Sequence, residues 1–462
     1  MSKSSIFNFS KAFWVANFVE LLERAAYYGV FIVITLYLSR ILAFTDIEAA
    51  MISGTFSALL YFLPTLTGAY ADKIGFKKSL IVAFSFLTLG YFGLAIFPSV
   101  LENAGLAKYG FTTEFTGLKE SNDKYIIIPI MALIIIGGSF IKSVITGTVA
   151  KETTEKTRAT GFSIFYTIVN IGAFSGKTFV KPLREAMGNE GLITINFFSA
   201  AMTALALLAV FFFFRPSVRQ GEGKSLKDIL NALVKVCTNA RLIILILIIT
   251  GFWMVQHQLY ATMPKYVLRM AGEGASPSWY ANVNPLVVFT TVGLITSLMS
   301  KRSALFSMTV GMFIMPVSAF AMAAGNMLGG DTMGFVNMHP VAFMMIVGIA
   351  FQGLAESFIS PRFLEYFSLQ APKGEEGLYL GFSHLHSFLS SLLGFGLSGF
   401  LLQKYCPDPL TLTEIEKLTA YDHAHYIWFV FFGIATVSAI ALIVYGAVVK
   451  KIDAKKATEQ QA

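Results

Sequence analysis

Residues 215–240 read RPSVRQGEGKSLKDILNALVKVCTNA, a polar, basic stretch that interrupts a chain of apolar segments and shorter loops. Within it Leu226, Ile229, Leu230, Leu233 and Val234 recur at helical spacing, opposite Lys227, Asp228 and Lys235. That pattern describes an amphipathic helix lying on a membrane surface. Working outward, six apolar stretches precede it (12–38, 47–70, 79–99, 125–149, 160–182 and 192–214) and six follow it (241–264, 279–299, 303–324, 340–367, 377–402 and 425–449). Each is about the 20 residues that a bilayer-crossing helix needs. The expected fold class is an all-α membrane protein with twelve transmembrane helices in two six-helix bundles, 12–214 and 241–450. A cytoplasmic connector, 215–240, joins them, and 451–462 forms a tail. Two six-span halves packed as pseudo-repeats are a common transporter plan, with substrate held between them near the midplane.

Composition agrees. Of 462 residues 55% are hydrophobic, only 13% are charged and 44 are Phe. Roughly a quarter of a soluble chain is charged, so a soluble enzyme and a disordered chain are excluded. Segments of alternating polarity, which a β-barrel requires, are absent from the sequence. Lys and Arg are about twice as frequent in the loops on the N-terminal side of the membrane as in those on the other side. Both termini are therefore expected in the cytoplasm. The first apolar stretch is too long and too charged for a cleaved signal peptide. The net charge of +8 belongs to those loops and not to a nucleic-acid surface. Cys237 and Cys406 fall on opposite faces and cannot pair.

Charged residues inside the spans point to function, because each costs about 2.5–3.5 kcal/mol at a span centre. Span one carries Glu20, Glu23, Arg24, Tyr27 and Tyr28. At 100° per residue Glu20, Glu23, Arg24 and Tyr27 share one arc of about 100°. Two carboxylates beside one guanidinium cannot both be neutralised, which is the property a proton carrier needs. Lys142 in span four and Glu356 in span ten have opposite charge and lie in opposite halves, so a bridge between them is a candidate gate. Gln352, Glu356 and Ser360 form a polar stripe on span ten. Lys177 in span five reads either as a cavity residue or as a lysine that snorkels outward. His257 is a cavity candidate. His384 and His386, two residues apart on a helix, are not expected to share a face. No metal-ligand spacing occurs, and no catalytic motif such as HExxH or GxSxG is present. Gly172 and Gly176 form a GxxxG, a close-packing signal.

The loop Gly68-Ala-Tyr-Ala-Asp72-Lys73-Ile-Gly75-Phe-Lys77-Lys78 resembles the G-x-x-x-D-[RK]-x-G-[RK]-[RK] signature of the major facilitator superfamily. Glu20-Leu-Leu-Glu23-Arg24-Ala-Ala-Tyr27-Tyr28-Gly29 resembles the E-x-x-E-R-[F]-x-Y-Y-G stretch of its proton-dependent oligopeptide transporter family. Phe162-Ser-Ile-Phe165-Tyr166-Thr-Ile-Val-Asn170-Ile-Gly172 is similar to that family's span-five signature. Phe252-Trp253, Asn284-Pro285-Leu286, Glu356 and Gln370-Ala371-Pro372-Lys373 also match. The chain departs from the family at Phe31, where an Arg is often found, and at Gln256, where an acid often precedes the paired glutamines.

The resemblance implies a major facilitator fold and proton-coupled symport of di- and tripeptides by alternating access. Glu20, Glu23 and Arg24 would couple protons. Arg24, Tyr27, Tyr28, Lys142, Tyr166, Asn170, His257, Asn284 and Glu356 would meet the substrate, with Arg24 or Lys142 at its carboxylate and Glu356 at its amino terminus. Protons would be the coupling ion, with no cofactor and no metal. The carrier would be a monomer in a bacterial cytoplasmic (inner) membrane. Two alternatives stay open: a related carrier of another small zwitterion or organic anion, working by exchange or export, and a membrane sensor that does not transport.

Overall fold

The computed structural model describes residues 9–109, 118, 121–154, 157–216, 225–330, 332–334, 336–370 and 382–461. Ala371, Pro372 and Lys373 lie outside them, as do residues 217–224 of the connector and the side chains of Asp72 and Leu226. The regular secondary structure of the described residues is all helical, with no strand. Ten helices are long and apolar enough to cross a membrane, or eleven when the bent pair Lys11–Phe31 and Ile34–Ile41 is one span. The remaining span, the fifth, is the 30-residue helix Arg158–Met187. It is the least lipid-like of the set because it carries Lys177, Lys181, Arg184 and Glu185.

The chain divides into two compact units, Met1–Leu230 with Ser276–Asn282, and Asn231–Ala275 with Val283–Ala462. In the first, span one packs on spans five, six and four; span three packs on spans four and six, and span two on span four. In the second, span seven (Ala240–Gln256) packs on span eleven (Leu385–Tyr405) and on span twelve (Tyr426–Gln461). Span nine (Ala304–Met327) packs on span ten (Pro340–Leu369) and on span twelve, and span eight (Val283–Met299) packs on span ten. The pairs of the first unit thus recur in the second, shifted by six spans. The helix-to-helix plan is an internal repeat although the two sequences share no obvious pattern.

Spans one and seven are both broken. Span one bends by 43° after Phe31. The break falls in the β-branched run Ile32-Val33-Ile34-Thr35, whose side chains crowd the preceding turn, and is followed by a π-turn at Tyr37–Ile41. Span seven stops at Gln256, resumes as Gln258–Ala261 and again as Met263–Ala271. Pro264 in the first turn of the last piece has no N–H to donate, which removes one helix hydrogen bond at the second break.

Close contact between spans one and five depends on the two glycines. A Cβ on Gly172 would sit 2.7 Å from Arg24 Cβ and 2.8 Å from the Leu21 carbonyl oxygen, and one on Gly176 would overlap the Ala25 carbonyl. Gly176→Leu is therefore expected to cost about 3 kcal/mol through overpacking against backbone, seen as loss of the monodisperse peak on heating in detergent. Side chains directed outward, among them Phe211, Phe212, Phe213, Leu294, Leu298 and Val437, are large, apolar and exposed, as a lipid-facing surface requires.

In the connector helix Leu226–Thr238, Ile229 and Val236 are buried while Leu230 and Val234 are exposed. Cys237 is exposed and Cys406 buried, both as free thiols.

Candidate functional site

Span one brings its charges together as the helical spacing requires. Arg24 Nε lies 3.1 Å from Glu20 Oε1, and Arg24 Nη2 lies 2.5 Å from Glu23 Oε2. All three side chains are buried, at 3%, 2% and 7% exposure for Glu20, Glu23 and Arg24. The pairing is Coulombic more than directed, because Glu20 Oε2, Glu23 Oε2 and Arg24 Nε have no hydrogen-bond partner of suitable geometry. The Arg24 guanidinium also lies over the Tyr27 ring, 5.5 Å from its centroid. Lys142 enters from span four within electrostatic range of Glu20, Glu23 and Arg24. Its ammonium sits 3.8 Å above the Tyr61 ring. A small cavity lies here, lined in part by Glu23, Arg24, Tyr27, Tyr91 and Lys142. The sequence reading missed Tyr61 and Tyr91, which arrive from spans two and three and carry no local signal.

Other residues of the first unit play more varied parts. Phe31 is buried and stacks on Tyr27 at 5.1 Å and on Phe56 at 6.2 Å, so an aromatic column occupies a place where the related family often has a cation. Lys177 does not snorkel. It is 1% exposed, donates to the Ala281 carbonyl at 3.2 Å and lies over the Tyr28 ring. The segment Ser276–Asn282 is fastened to span five by further contacts. Trp279 Nε1 donates to the Thr178 carbonyl, Asn282 Nδ2 donates to Thr178 Oγ1, and Lys181 sits over the Trp279 ring. Asn170 donates to the carbonyl of Tyr166 one turn back, and Tyr166 is 47% exposed.

In the second unit, Glu356 is the centre. Its Oε2 accepts from Gln256 Nε2 at 2.9 Å and from Asn284 Nδ2 at 3.3 Å. Gly353, one turn earlier on span ten, lets span eight come close enough: a Cβ there would meet the Asn284 carbonyl at 2.9 Å. Gln256 is able to hold Glu356 because its amide donates, where a second carboxylate would repel it. Gln352 donates to the Val255 carbonyl. His257 is buried, with Nδ1 3.3 Å from Ser391 Oγ and 3.5 Å from Ser390 Oγ. His384, at a turn just before Leu385, is exposed and His386 is buried, as two residues on different faces require, although their rings lie 6.2 Å apart. Lys142 belongs to the first unit and Glu356 to the second. Among the described residues no cluster of His, Cys, Asp and Glu could hold a metal ion.

The family model described as the Major Facilitator Superfamily matches residues 13–335. Dipeptide and tripeptide permease B of Shigella dysenteriae is 25% identical over 89% of this chain and 91% of that protein. The permease of the same name from Photorhabdus asymbiotica is 24% identical over 89% and 91%. Among solved structures, one from a study of substrate recognition in proton dependent oligopeptide transporters covers 95% of this chain and 99% of that one. Its TM-score is 0.71 and its identity 16%.

Proposed function

Because this chain belongs to the Major Facilitator Superfamily, a family of transporters and not of enzymes, we propose that it is a proton-coupled symporter of di- and tripeptides working by alternating access. The observation that carries this reading is the buried Glu20–Arg24–Glu23 cluster. Two carboxylates share one guanidinium out of water, so a proton is the cheapest way to balance the site. Similarity to peptide permeases along most of the chain supports a peptide substrate. A zwitterion needs a fixed anion for its ammonium and a fixed cation for its carboxylate. Glu356 takes the first role, and Arg24 or Lys142 the second. Tyr27, Tyr28, Tyr166, Asn170, His257 and Asn284 supply polar and aromatic contacts. The carrier is proposed to act as a monomer in a bacterial inner membrane with both termini inside, using protons and no cofactor.

The test is dipeptide uptake into proteoliposomes under an inward proton gradient. Wild type is expected to accumulate dipeptide, and a protonophore to abolish accumulation. Glu20→Gln is expected to lower gradient-driven accumulation at least about tenfold while counterflow exchange stays within about twofold. Uptake indifferent to the gradient would overturn the coupling. A second reading, a carrier of another small zwitterion or organic anion by exchange or export, is favoured by the neutral Phe31 and Gln256. A ligand panel read by thermal shift separates the two, since only the first predicts stabilisation by dipeptides.

A further inference from the structure

The cavity in the first unit has a volume of about 10 Å³, room for about one water molecule. Voids of this size stay dry when their walls are apolar and fill when two to four polar groups converge on them. Here Glu23, Arg24 and Tyr27 of span one, Tyr91 of span three and Lys142 of span four converge, and Gly138 and apolar side chains complete the lining. Two atoms at this place, Glu23 Oε2 and Arg24 Nε, are buried without a directed hydrogen bond. Leaving such groups unsatisfied is costly, and an ordered water is the usual remedy. Tyr91 is 1% exposed and lies in electrostatic range of both Glu23 and Arg24. Its hydroxyl is able to donate and to accept, whereas Arg24 only donates and an ionised Glu23 only accepts.

We propose that this cavity holds one ordered water, anchored by the Tyr91 hydroxyl and hydrogen-bonded to Glu23, and that Tyr91 is a positioning residue for the proton site. The proposal rests on the proton-coupled reading above. The water completes the hydrogen bonding of Glu23 and fixes its carboxylate relative to Arg24 and Lys142. Losing it changes how Glu23 exchanges its proton while leaving peptide contacts in place.

Two variants test this by different routes. Tyr91→Phe removes the anchor and keeps the ring. Gly138→Ala adds a methyl to the cavity lining, where its Cβ would press on the Leu60 side chain and meet no backbone. Both are expected to lower gradient-driven dipeptide accumulation about tenfold and to leave counterflow within about twofold. A high-resolution experimental map of wild type is expected to show one water bonded to Tyr91 Oη and Glu23 Oε2, missing in Tyr91→Phe. A dry cavity in wild type overturns the proposal. So does unchanged accumulation in both variants while wild type responds to the gradient. A wild type that ignores the gradient overturns the coupling reading instead, and the map still decides the water.

Discussion

Arg24→Ala is expected to leave little folded protein, and Glu20→Gln with Glu23→Gln in the same chain is expected to restore it. Arg24 is the cation that both buried carboxylates of span one touch, at 3.1 and 2.5 Å. Removing it leaves two like charges within one helical turn in a low-dielectric interior. Breaking a buried pair from one side costs about 3–5 kcal/mol, a large share of the roughly 5–15 kcal/mol by which a domain is stable. Lys142 is near enough to soften the effect without replacing the contacts. Alanine keeps the Arg24 Cβ that faces Gly172, but the truncation loses the guanidinium packed over the Tyr27 ring, which the two glutamines do not repair. Fluorescence-detected size exclusion in detergent, with a thermal ramp, reads the outcome. If Arg24→Ala alone matches wild type, charge balance is not what holds this cluster.

Glu356→Gln has the second large effect, and it falls on function while sparing the fold. The amide matches the carboxylate in size, and the Gly353 approach of spans eight and ten is untouched. What disappears is the negative charge of the carboxylate whose Oε2 accepts from Gln256 and Asn284. Removing one partner of a desolvated charge pair typically costs about 2–5 kcal/mol of binding, so dipeptide uptake is expected to fall at least about 30-fold. The melting temperature in detergent should stay within a few degrees of wild type. Uptake at the wild-type level would remove Glu356 from the substrate site.

The span-one cluster was legible in the sequence because all its members lie on one helix, where a fixed 100° step decides who meets whom. Glu356 was legible as an anomaly, a charge in an apolar run. Its partners were harder. Asn284 and Gln256 come from two other helices, and only packing at Gly353 reveals that they converge. Tyr61 and Tyr91 looked like ordinary aromatic core residues for the same reason. Spacing put His384 and His386 on different faces, and one is exposed while the other is buried; their rings still approach to 6.2 Å because the helix is interrupted by a turn at His384. Lys177 was ambiguous in sequence, since whether a lysine snorkels depends on what covers it; here Ala281 and Tyr28 do. Span five read as an apolar stretch over 160–182; its helix runs on to Met187, through a charged end where Lys181 pairs with Glu185 of the same helix.

The two thiols of this chain differ in one respect: Cys237 is reachable and Cys406 is not. A bulky, membrane-impermeant maleimide should therefore tag the native polypeptide at a single position, with no engineered background. In sealed vesicles the tagged fraction, compared before and after solubilisation, counts how many copies were inserted each way round, and every flux measurement can be normalised to it.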